Sequence, residues 1–250
     1  MHHMILEAMT WATQRAARHA RASGIAAEQA AIVARYLRHR RQWRPHLAHC
    51  RRFVATMVDR VEGRGRAVVL GSGALLDIPL VALSRHFAEV VLVDAVQPLH
   101  ARLLARGLGN VVVRTMSLVA LGERPPVYRG WRDVIPRAEL VISSMLLSQL
   151  PPPRATAPGE EWRRNMVAAA LDDLACGEGA ACLVTETARR VFAPGGRLRV
   201  EDPLHGVVPP PALERWRWEM APMGEHADGT RVELDVAASF RRAGSRDWID

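Results

Sequence analysis

One unit between Ala67 and Asp94 limits what this chain can fold into. Four apolar residues, Ala67 to Leu70, precede Gly71-Ser72-Gly73. A segment with helical spacing runs from Leu75 to Phe87, and a second apolar run, Val90 to Val93, closes on Asp94. The pattern predicts strand, turn, helix and strand, the unit from which parallel sheets with covering helices are built. Glycines in the turn let the backbone approach a ligand closely, and a helix start offers free N–H groups. An acid closing the second strand can accept hydrogen bonds from both hydroxyls of a ribose. Asp94 stands 23 residues after Gly71, close to the roughly 20 expected of a nucleoside-binding unit.

The glycine spacing narrows the nucleoside. A dinucleotide fingerprint needs a third glycine three residues after the second. Leu76 occupies that position, and the next glycine is Gly107. A ligand without a pyrophosphate, such as S-adenosyl-L-methionine, suits Gly-Ser-Gly followed by bulky residues. A nicotinamide dehydrogenase is disfavoured by Leu76.

The formal net charge of +8 raises a nucleic-acid reading, which other features weaken. The chain has no lysine, so all 34 basic residues are arginine, a bias that fits a GC-rich genome. The arginines are spread out except for a denser zone holding Arg35, Arg38, Arg40, Arg41, Arg44, Arg51 and Arg52. Solvated helix faces account for that zone more simply than a phosphate-binding stripe. Aromatic residues make up 5% of the chain, few for base stacking. Cys50, Cys176 and Cys182 have neither a metal-ligand spacing nor a disulfide framework. His46 and Cys50 are four apart with His49 beside them, but no second cluster supplies further ligands, so no metal is expected. No apolar run reaches membrane-spanning length and no signal-peptide core is visible, so a cytoplasmic protein is expected.

In chain order, helices are expected over 4–22, over 26–41 and from Pro45 to about Val61, with breaks at Ser23-Gly24 and at Gly63 and Gly65. This gives an N-terminal helical cap over 1–64 and a sheet domain over 65–250. After Asp94 a helix to about Arg106 leads to a third strand, Asn110 to Arg114, with Thr115 and Met116 at the end where an adenine edge would lie. A surface loop is expected from Gly122 to Pro136. The fourth strand lies in Ala138 to Leu150, with Ser143, Ser144 and Met145 at its carboxyl end beside Gly71. A loop from Pro151 to Gly159, a helix over Glu160 to Cys176 and a fifth strand from Ala180 to Thr185, ending in Glu186, follow. The tail holds an extended run at Arg197 to Val200, then strands at Arg215 to Met220 and Arg231 to Phe240. The fold class is therefore α/β: a Rossmann-like, mostly parallel sheet with helices on both faces and an antiparallel strand pair near the C-terminus.

VVLGSGALLDIPL, VVLVDAVQP and AELVISSMLLSQLP together resemble the class I S-adenosylmethionine-dependent methyltransferases, in their small-molecule branch. The resemblance covers about residues 65–242. It implies S-adenosyl-L-methionine as cofactor and S-adenosylhomocysteine as product. It places the cofactor against Gly71, Ser72, Gly73, Asp94, Ala95, Thr115, Met116, Ser143 and Ser144. Two positions depart from the family: Val69 stands where it usually has an acid, and Leu75 where it has its third glycine.

Methyl transfer needs alignment of nucleophile and methyl carbon, and a base where a proton must leave. His205, Tyr36 and Glu186 are the candidate catalytic residues, and Tyr36, Trp43, His46 and Met145 the candidate substrate contacts. The function expected is methyl transfer to a small-molecule acceptor. An RNA methyltransferase, or a non-catalytic binding protein on the same scaffold, is the alternative. No motif indicates oligomeric state.

Overall fold

The computed structural model describes residues 2–123, 125–135, 137–152, 159–226 and 228–249, with side chains from residue 8 onward. The chain begins with helix α1 (His2–Thr13), a short strand β1 (Arg15–Ala16) and the long helix α2 (Ile25–Val58). The first strand of the main sheet, β2 (Arg66–Leu70), leads through the glycine loop to α3 (Leu80–His86) and β3 (Glu89–Asp94). Then come β4 (Val96–Gln97), α4 (Leu99–Arg106), β5 (Val111–Thr115), β6 (Leu140–Ser144) and α5 (Glu160–Ala175). Four strands close the described chain: β7 (Ala180–Phe192), β8 (Leu198–Glu201), β9 (Glu214–Ala221) and β10 (Arg231–Arg241).

The main sheet has the order β5-β3-β2-β6-β7-β10-β9. Its first five strands are mutually parallel, and β10 runs antiparallel to both β7 and β9. This is the Rossmann-like sheet with a closing antiparallel pair that the sequence predicts. Strand periodicity sorts the core onto two faces. Ala67, Val69, Val90, Leu92, Leu140 and Ile142 face α2, α3 and α4. Val68, Leu70, Val91, Val93, Val141 and Leu183 face α5 and the loop before β6. Among the described residues, no helix is long and apolar enough to cross a membrane.

Several boundaries differ from the sequence expectation. The helix expected over 4–22 stops at Thr13, because Arg15 and Ala16 pair with Gln97 and Val96 and the Gln14 amide donates to the Ala26 carbonyl at 2.8 Å. The two helices expected on either side of 41–45 form one, α2, which is kinked at His39 (φ −115°, ψ 25°) upstream of Pro45. The helix expected from Leu75 starts only at Leu80, since Leu75 is left-handed (φ 57°). The loop from Gly122 is not all surface: Trp131 and Ile135 are buried against the α5 side of the sheet, while Arg124 and Pro136 lie outside the described residues. The fifth strand continues to Phe192 because β10 and β8 extend its pairing. Most of the Pro151–Gly159 loop, residues 153–158, lies outside the described residues.

Arg241 is 1% exposed and has no carboxylate partner among the described residues. Its guanidinium instead donates to carbonyls at the end of α5: Leu174 at 3.1 Å, and Gly177 and Gly179 each at 2.8 Å. A cation suits the negative end of a helix; Leu174 is in the last turn of α5, where carbonyls lack a helical donor, and Gly177 and Gly179 follow it. Arg241→Met keeps the bulk and removes the donors. It is expected to lower stability by about 3 kcal/mol in urea unfolding, since buried acceptors are left unsatisfied; a loss under about 1 kcal/mol would contradict this role.

Candidate active site

The carboxyl end of β2 turns through Gly71 (φ 68°) and Gly73 (φ 43°). A Cβ on Gly71 would lie 2.9 Å from the Leu146 side chain, so the turn needs glycine for space as well as for conformation. Asp94, at the end of β3, fixes the loop. Its Oδ2 accepts from the Gly73 N–H at 2.7 Å and its Oδ1 from the Val96 N–H at 2.8 Å. Burial pushes the Asp94 carboxyl up to about 6, against the pull of those N–H groups. Each oxygen keeps acceptor capacity. Leu75 takes the left-handed conformation that a glycine would take, at a cost of roughly 1–2 kcal/mol, while its side chain is buried in the core beside α3.

Asp77 follows in the same loop and receives the Ser144 hydroxyl from the end of β6. Burial raises its carboxyl above the usual range, and the Ser144 bond and the Arg51 charge act in the other direction. Met145, next along, is also left-handed (φ 52°). These groups surround a cavity of about 440 Å³. Asp94, Ala95, Leu118 and Val119 form one end. Ser144, Met145, Glu186 and Arg189 form the other. Gln29, Ile32, Trp43, His46 and Leu47 of α2 cover it.

The cover is built from aromatic rings. His46 stacks on Trp218 with centroids 3.8 Å apart and planes at 2°, and Trp43 packs against Trp218 at 85°. The Trp216 N–H donates to His46 Nδ1 at 3.0 Å. That bond makes Nδ1 the acceptor and leaves the proton on Nε2. Burial, with help from His49, lowers His46 to about 3, so the ring is neutral. His46 therefore serves as a packed wall of the cavity. Glu186 is 9% exposed, and its Oε2 has no hydrogen-bond partner among the described residues. Burial raises its carboxyl; Ser148 and Arg189 offset part of the effect.

No protein-family model matches the chain, and no curated protein matches it. Among solved structures the chain is similar to a DhpI–SAM–HEP complex, with 16% identity and a TM-score of 0.41 over 88% of this chain and 99% of that one. It is similar to the Burkholderia thailandensis 1,6-didemethyltoxoflavin-N1-methyltransferase with 1,6-didemethyltoxoflavin and S-adenosylhomocysteine bound, with 15% identity and a TM-score of 0.43 over 90% and 91%. It is also similar to the N-methyltransferase NodS of Bradyrhizobium japonicum in complex with S-adenosyl-L-homocysteine, with 11% identity and a TM-score of 0.33 over 75% and 87%. At such values these likenesses decide nothing about chemistry, which rests on the cavity.

Ten of the residues singled out in the sequence line that cavity: Gly71, Ser72, Gly73, Asp94, Ala95, Ser144, Met145, Trp43, His46 and Glu186. Five do not. Thr115 and Met116 lie below it: the Met116 N–H donates to the Asp94 carbonyl and its side chain packs on the α5 face, so Ser117 to Val119 take the place expected for them. Ser143 is turned away by strand alternation, toward the face of Leu70 and Leu183. Tyr36 packs beside Trp43, behind the wall. His205 is corrected most clearly. It is paired with Glu160 of α5 at 2.7 Å, in a turn that Asp202 caps, and is not part of the cavity. Asp77, Arg189 and Trp218 were not singled out. An acid within the glycine segment and the alternating Trp216 and Trp218 were the available signals.

The part of α2 before its kink is tied to the loop between β9 and β10. Glu225, between β9 and β10, accepts from Arg35, Arg38 and His39. Burial alone would raise this carboxyl, but the bonds from Arg38, His39 and Arg35 outweigh it and hold it at about 2. The clamp's contribution is present above the ordinary value of 4.5 and is lost as pH falls toward about 2. Glu225→Gln is expected to speed amide exchange over residues 25–38 at least about tenfold, with residues 43–58 unchanged. Equal acceleration on both sides of His39 would contradict a local clamp.

Proposed function

We propose that the chain is an S-adenosyl-L-methionine-dependent methyltransferase acting on a small-molecule acceptor, with residues 1–64 as cap and 65–250 as the cofactor-binding body. The carrying observation is Asp94, an acid closing the second strand of the glycine unit and held at the cavity by the Gly73 and Val96 N–H groups with acceptor capacity left over. The residues present fit the cofactor. Asp94 would take the ribose hydroxyls, and Ala95, Leu118 and Val119 offer an apolar slot for the base. Asp77 supplies, eight positions later, the acid that Val69 lacks, and would face the α-ammonium group.

The bound cofactor supplies an electrophilic methyl group on a sulfonium. The chain's own residues orient the acceptor, exclude water and accept a proton. Glu186 is the base this site offers, a buried carboxylate with a free oxygen and a raised affinity for protons. The small-molecule reading is supported by a cavity covered by α2 and by the use of the arginine zone within the fold. Arg35 and Arg38 bind Glu225, Arg51 donates to the Leu76 carbonyl and Arg52 pairs with Glu214.

Calorimetric titration with S-adenosylhomocysteine, S-adenosylmethionine and NAD tests this reading. The adenosyl ligands are expected to bind and NAD is not. Ribose hydroxyls donate to the ionised carboxylate, so affinity is expected to be flat above about pH 6 and to fall about tenfold per unit below it. Asp94→Asn is expected to weaken binding at least about tenfold at pH 7.5. No adenosyl binding at millimolar concentration would leave a non-catalytic scaffold. Once an acceptor is in hand, Glu186→Gln is expected to lower kcat about 10²–10⁴-fold with S-adenosylhomocysteine still bound; unchanged turnover removes Glu186 as the base.

A further inference from the structure

In a regular strand, residues three apart point to opposite faces. Glu186 and Arg189 of β7 nevertheless both line the cavity. The pairing with β10 explains this: Val236 pairs with Glu186, Asp235 with Ala188 and Leu234 with Arg189. Thr187 is the extra residue of a β-bulge, which restores Arg189 to the face of Glu186. On the far side of β10, Leu234 pairs with Trp218 and Val236 with Trp216. Arg189, Leu234 and Trp218 thus form one cross-strand row, and Glu186, Val236 and Trp216 the next.

The row ending in Trp218 has unused donors. Trp43 gives its N–H to the Met220 carbonyl and Trp216 gives its own to His46. The Trp218 N–H has no partner among the described residues, although the side chain is 8% exposed and in the cavity wall. An unpaired buried donor costs roughly 1–3 kcal/mol, which an incoming acceptor atom would recover. The Arg189 side chain has no hydrogen bond or ion pair among the described residues, although its charge acts on Glu186. The acids near it are engaged: Glu201, opposite it on β8, pairs with Arg199 at 2.7 Å, and Asp235 pairs with Arg190 and Arg217.

We propose that Arg189 and the Trp218 N–H form an anion subsite that binds a carboxylate on the acceptor, while Glu186 faces the hydroxyl or amine to be methylated. The inference rests on the methyltransferase reading for the second half, and on the bulge geometry and the two unpaired donors for the first. The two rows are two residues of β10 apart, about 7 Å along the strand. That spacing suits a ring with its acid and nucleophile at opposite ends, so the class is a small hydroxy- or amino-substituted aromatic carboxylic acid.

The test is titration of 4-hydroxybenzoate, 4-aminobenzoate and their methyl esters into the full chain, with and without S-adenosylhomocysteine, read by calorimetry and tryptophan fluorescence. The acids are expected to bind at least about tenfold more tightly than the esters. Arg189→Gln is expected to bring that ratio within about twofold, and Trp218→Phe to lower acid affinity severalfold while keeping the ring. S-adenosylhomocysteine binding checks that each variant is folded. Equal binding of acids and esters, an acid preference that survives in Arg189→Gln, or no acid binding at about 10 mM overturns the subsite. Failure of S-adenosylhomocysteine to bind, with the acid preference intact, overturns the methyltransferase reading and leaves the subsite standing.

Discussion

Asp94 fastens the glycine loop to the end of β3, beyond the point where the β2–β3 ladder stops. One oxygen holds the Gly73 N–H and the other the Val96 N–H, so the glycine loop cannot move without the end of β3. The rest of the site is referenced to that junction. The loop carries Asp77 toward Ser144 at the end of β6, and the Leu76 carbonyl receives Arg51 from α2. A buried carboxylate with a raised proton affinity is normally a liability. Here two short backbone bonds satisfy it and a polar ligand can use what remains.

How much the sequence reveals depends on whether a feature is local. The strands β2, β3, β5 and β6 are legible because each holds an uninterrupted apolar run. The closing antiparallel pair is legible from two alternating runs joined by a turn. Where the reading misses, a long-range contact overrides a local preference. Residues 14–16 have helical spacing, yet pairing with β4 and the Gln14 bond to Ala26 draw them out of the helix. Pro45 suggests a helix start, but packing of α2 on the sheet continues through it, leaving a kink at His39.

The glycine-loop end of the cavity follows the same division. Gly71, Gly73 and Asp94 are bound by short-range geometry and can be read directly. Thr115 and Met116 are misplaced by two or three residues, because the exit from β5 is set by its bond to Asp94 and by burial on the α5 face. The β7 end of the cavity is much less legible. Arg189 reaches the cavity only because Thr187 is bulged, and a bulge is a property of pairing with β10. Trp218 matters because of what Trp216 and Trp43 do with their own donors. His205 has the chemistry of a base but the address of a surface turn.

Helix α2 is continuous in sequence but divided in what it buries. From Trp43 onward it contributes Trp43, Leu47, Phe53 and Met57 to the core of the sheet. Before His39 its buried positions are Ala26, Ala30, Val33 and Ala34. Burial energy scales with apolar area, so the first half adds little cohesion and the second half a great deal. The Glu225 clamp and most of the helix's buried apolar bulk therefore fall on different stretches of α2.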